Sequence, residues 1–196
     1  MILPRRDATW PAPADVPDAR ARGVRPSREM PPLYLRETRA ADLSTLPESL
    51  RAALIDWASK HQLSLEHARV WHTRSENPPG EGFFARLLGR RSNPVDPNAF
   101  HDAAVVLHAT QLLVANLSER GGPVVMGVAL VSTTVTRGHV LAGVLGAAAP
   151  DDDGISIEGF PGAAGRPGTW FFGMGGAAAD ACFDAVASAV RAARAG

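Results

Sequence analysis

The run Gly173-Met174-Gly175-Gly176-Ala177-Ala178 fits the pattern G-x-G-x-x-A and lies between a short aromatic strand, Thr169-Trp170-Phe171-Phe172, and an alanine-rich helix. Glycines in such a turn let backbone N–H groups at a helix N-terminus approach a pyrophosphate. A complete dinucleotide-binding unit is not expected. No parallel strand follows the helix, and no acidic residue stands about 20 positions on to hold a ribose. The glycines are expected to form a hinge that swings the helix back over the strands, and no cofactor is expected.

Six histidines raise the question of a metal. His61, His67 and His72 straddle a change from helix to strand at a spacing that fits no one-face ligand set, and His101, His108 and His139 are scattered with no cysteine motif beside them. No metal site is expected. Asp151-Asp152-Asp153-Gly154 lacks the alternating acids of a calcium loop, because Ile155 falls where a ligand is needed, and it reads as a solvated turn. No serine lies in a G-x-S-x-G elbow, and Cys182, the sole cysteine, sits within an apolar helix as a small buried side chain. These residues supply no catalytic constellation, and the chain is expected not to be an enzyme.

Two stretches could carry contacts rather than catalysis. Phe83-Phe84-Ala85-Arg86-Leu87-Leu88-Gly89-Arg90-Arg91 combines aromatic and apolar side chains with guanidinium groups. Phe83, Phe84, Arg86, Leu87, Arg90 and Arg91 form a candidate surface for a partner or an anionic membrane, each basic residue contributing about 1 kcal/mol near anionic lipid. The plainer reading is that the apolar residues pin a long loop while the arginines are solvated. Trp10, before Pro11, is a candidate docking residue in a tail.

The elements that position these groups are as follows. Residues 1–32 hold seven prolines and few large apolar side chains, the composition of a disordered tail. Residues 33–67 form a helical lead-in. Its helix runs from about Pro47 to His61, with Thr45 and Glu48 spaced as a capping box and Leu50, Leu54, Trp57 and His61 along one stripe. Ala68 to Thr73 reads as a strand with Val70 and His72 on one face and Trp71 and Thr73 on the other. After the connection holding Phe83–Arg91 come strands at Ala103–His108 and Gln111–Leu117 around a tight Ala109-Thr110 turn, then Val124–Val128, Leu130–Thr136, Ile155–Phe160 and Thr169–Phe172. Residues 140–149 are ambiguous between strand and loop. A helix over Ala177–Ala195 carries Phe183, Val186, Ala187, Val190 and Ala193 on its apolar stripe.

Charge and composition narrow the classes. The formal net charge is zero, with 20 basic and 20 acidic residues, which argues against a nucleic-acid partner. The start has no apolar signal region and no run is long enough to span a bilayer, so a cytoplasmic location is expected. The abundance of arginine and alanine suggests a bacterial source.

One strand, a long loop, short antiparallel strands including Val105-Val106-Leu107-His108-Ala109-Thr110-Gln111-Leu112-Leu113-Val114, and a closing amphipathic helix resemble the bacterial pleckstrin-homology-like superfamily over roughly residues 66–195. The resemblance implies an α+β fold, with residues 68–196 forming an antiparallel barrel of about seven strands capped by the C-terminal helix, Phe183, Val186 and Val190 acting as plug. An α+β sandwich with the same strands paired differently is the rival. The pleckstrin-homology-like resemblance implies a non-enzymatic binding or scaffold domain for a protein or peptide partner. Peripheral binding to anionic lipid through 83–91 is the alternative, since the corresponding loop in membrane-binding members carries the basic residues that hold a headgroup. An uncharacterised enzyme is the third reading.

Overall fold

The computed structural model describes residues 34–80, 91–93, 95–138, 153–162 and 166–196. Trp10 and residues 83–90 of the candidate contact surface lie outside them.

The chain is α+β, with two antiparallel sheets and two long helices among the described residues. Strands β1 (Leu35–Ala41), β2 (Arg69–Glu76), β3 (Phe100–Leu107), β4 (Gln111–Ser118) and β5 (Val124–Ala129) form one sheet in sequence order. Strands β6 (Thr134–Arg137), β7 (Gly154–Pro161) and β8 (Pro167–Gly173) form the second. Helix α1 (Glu48–Lys60) joins β1 to β2, and helix α2 (Ala177–Ala195) follows β8.

The near-continuous apolar runs of β3 and β4 follow from burial on both faces. Val106, Leu113 and Ala115 pack beneath α1 with Leu50, Leu54 and Ala58. Val105, Leu112 and Val114 face the other way, into a core shared with Ile155, Ile157 and Phe160 of β7 and with Cys182, Val186 and Val190 of α2. Each such large side chain contributes about 1.5–3 kcal/mol on full burial. Trp57 of α1 lies over Gly127 of β5, where a Cβ would come 2.6 Å from its Cζ2 atom. His61 stacks on the same indole, with ring centroids 3.7 Å apart.

Four expectations are corrected. The described strands form two sheets and do not close into a barrel. The break lies within the run expected as one strand over Leu130–Thr136. A 3-10 turn at Leu130–Ser132, held by Thr133 Oγ1 donating to the Ala129 carbonyl at 2.8 Å, separates β5 from β6. The helical lead-in expected over 33–67 contains β1, which pairs along its length with β2. The capping box does not form, since Thr45 Oγ1 donates to the Asp42 carbonyl at 2.8 Å and Pro47 occupies the N-cap.

Helix α2 matches its expected span, with the buried stripe centred on Cys182, Val186 and Val190. Burial pushes the Cys182 thiol up to about 12, so it packs as a small apolar group. No helix among the described residues is long and apolar enough to cross a membrane.

Candidate functional site

Three polar groupings and one strand edge offer chemistry. The first follows from the β2–β3 register, which sets Arg74 across from Asp102 and His72 across from Ala104 on the face that turns toward α1. His72 Nε2 lies 2.8 Å from Asp102 Oδ1, with side-chain exposures of 7% and 5%. Arg74 Nη1 is 3.7 Å from the other carboxylate oxygen, and its guanidinium lies 4.6 Å from the Phe100 ring centroid. A carboxylate–imidazole pair activates a nucleophile when a hydroxyl or thiol reaches the second ring nitrogen. The β2 and β3 residues sharing this face are Val70, His72, Arg74, Glu76, Phe100, Asp102, Ala104 and Val106, and none is a nucleophile of that kind. The pair holds the two strands together.

The second grouping closes the ends of the long β2–β3 connection. Asn77, 1% exposed, donates from Nδ2 to the carbonyls of Asn93 and Asp96 at 3.1 and 3.2 Å and accepts at Oδ1 from Asn93 N at 3.0 Å. Its own carbonyl accepts from Arg91 Nη1 at 2.8 Å. Arg91, the one described member of the expected contact surface, is thereby turned inward as a loop clamp. Asp96 Oδ2 accepts from Tyr34 Oη and from His101 Nε2, each at 2.6 Å, while Oδ1 accepts from the Asn98 backbone and side-chain nitrogens at 3.0 and 2.9 Å. The Tyr34 oxygen also accepts from Asn93 Nδ2 at 2.9 Å. Burial by itself would raise the Asp96 carboxyl, but donation from Tyr34, the Asn98 backbone and His101 outweighs it and holds the group well below the usual carboxylate range. Burial, and then the hydrogen bond to Asp96, push the Tyr34 phenol up to about 12. A carboxylate with four donors in place has no site left for a substrate proton, so this corner is a clamp.

Tyr34 is the only tyrosine, which makes the corner directly observable. Because its folded value lies above the ordinary 10, the corner's stabilisation is complete below pH 10 and is lost as pH rises toward about 12. Tyrosinate absorbance of the native protein should therefore rise later than that of the unfolded chain, and Asp96→Asn should move the native midpoint down. A native midpoint at 10 would contradict the clamp.

The third grouping is the glycine-rich junction. Gly175 N donates to Thr38 Oγ1 at 3.0 Å, Thr38 N donates to the Gly175 carbonyl at 3.3 Å, and Thr38 Oγ1 lies 2.8 Å from Thr73 Oγ1. A Cβ at Gly175 would come 2.8 Å from the Arg36 carbonyl, and one at Gly173 would overlap the Arg36 guanidinium. These glycines admit β1 against the chain between β8 and α2. A cavity of about 520 Å³ lies beside it, lined by Arg137, Asp153, Met174, Gly176, Asp180 and Phe183 among others. Arg137 is paired with Asp180 and, at 3.5 Å, with Asp184, and lies over the Phe183 ring. With the Gly175 N–H used by Thr38 and carboxylates at the rim, the turn is poorly suited to a phosphate.

Of the remaining histidines, exposed His61 lies with Nδ1 2.7 Å from the Trp57 carbonyl and His108 accepts from Thr110 N at 3.2 Å in the β3–β4 turn. Among the described residues no three His, Cys, Asp or Glu side chains are placed to hold a metal.

The strand edge belongs to β8, the last strand of its sheet, and no described strand pairs with its outer side. Trp170 stands across from fully buried Ile157 yet is 46% exposed. Thr169 beside it is exposed, and no residue from Pro167 to Gly173 is charged. Trp170 was legible as part of an aromatic strand, but its exposure depends on strand order, which spacing does not give. The Asn77–Asp96 corner had a faint signal in the Asn and Pro punctuation of residues 93–98. Comparison with known protein families, curated proteins and solved structures gives no match to this chain.

Proposed function

We propose that the chain is a non-enzymatic binding or scaffold domain that recognises a protein or peptide partner in extended form along the outer edge of β8. The observation that carries this is Trp170, a large apolar side chain half-exposed at the middle of an uncharged edge strand. An extended segment that adds to a sheet edge gains main-chain hydrogen bonds, and a neighbouring aromatic supplies the anchor. The polar groupings support the same reading, because their described members spend their donors and acceptors on one another. Kinship to the pleckstrin-homology-like fold is part of the proposal. It rests on element order, four strands β2–β5, three strands β6–β8 and then α2, and on the Thr38–Gly175 bonds that link β1 to the β8–α2 junction. Contact with anionic lipid through 83–91 has less support, because Arg91 is bonded to Asn77.

Selection of a displayed library of random peptides on the immobilised protein tests the reading. Enriched peptides should lose about 2 kcal/mol of binding, roughly 30-fold, to Trp170→Glu. Peptides that bind both proteins equally would place recognition elsewhere.

A further inference from the structure

No further inference is drawn: the strongest candidate, the cavity of about 520 Å³ between the start of β7 and the N-terminus of α2, carries nothing, because its rim at Gly138 and Asp153 borders residues outside those described, Arg137 and Asp180 on its wall are paired with each other, and nothing in the structure shows what covers it.

Discussion

Replacing Asp102 with alanine is expected to lower the unfolding free energy by about 1–3 kcal/mol, because it leaves the buried His72 ring without the carboxylate that accepts its hydrogen bond. Asp102 is 4% exposed, and Arg74, its other neighbour, is half-exposed and keeps its stacking on Phe100 without the carboxylate. The joint replacement His72→Leu with Asp102→Val should cost less, near neutral to about 1 kcal/mol, since replacing both partners of a buried hydrogen bond by apolar groups can be nearly neutral. Urea unfolding of the three variants measures both effects. A small loss for Asp102→Ala, or a double variant as damaged as the single, would show that the pair does not hold β2 to β3. The pattern also separates a structural pair from a catalytic one, whose removal would leave stability largely intact.

Phe160→Ala is expected to cost about 3–5 kcal/mol. Phe160 is fully buried, in the core between the two sheets and α2. It points inward because of a bulge. Ile155 and Ile157 face the core, so strict alternation would send residue 159 inward and Phe160 out. The register shift between Glu158 and Phe160 inserts Gly159 at φ 120° and returns the phenylalanine to the core. Gly159→Ala should therefore also destabilise, since a Cβ there would strain the backbone and come 2.7 Å from the Ser132 carbonyl. Thermal unfolding of both variants checks the bulge. A Phe160→Ala protein that melts within a degree or two of wild type would contradict the assignment of this core.

Much of the fold was legible where one periodicity dominated. The β3–β4 hairpin follows from two apolar runs around Ala109-Thr110, and His108 N donates to the Gln111 carbonyl at 2.9 Å as such a turn requires. The faces of β2 also follow from alternation, with Val70 under α1 and Trp71 in the opposite core. The β1 strand was missed because Leu-Arg-Glu-Thr-Arg-Ala-Ala reads as polar helix, and only Thr38 of its residues is buried. Its strand state comes from pairing with β2, a tertiary effect that outweighs local propensity. The barrel was inferred from element order, which fixes the succession of strands but not whether a turn such as Leu130–Ser132 splits them into two sheets.

The candidate sites were less legible, for a related reason. Tyr34, Asn77, Asp96 and His101 meet only after β1, β2 and β3 pair, so no spacing announces them. Thr45, Glu48 and Pro47 did announce a cap, yet Thr45 turned back to Asp42 and left the helix to start without it. At 173–176 the sequence offers a run of glycines, but that Gly173 and Gly175 lie against Arg36 and Thr38 of β1 follows from tertiary pairing that no local spacing gives.

Amide hydrogen exchange across Gly168–Phe172 tests the recognition edge most directly. Saturation with a selected peptide should protect the outward-facing amides of this window, and Trp170→Glu should abolish that protection. Unchanged exchange at β8, with protection appearing on another element, would contradict the account.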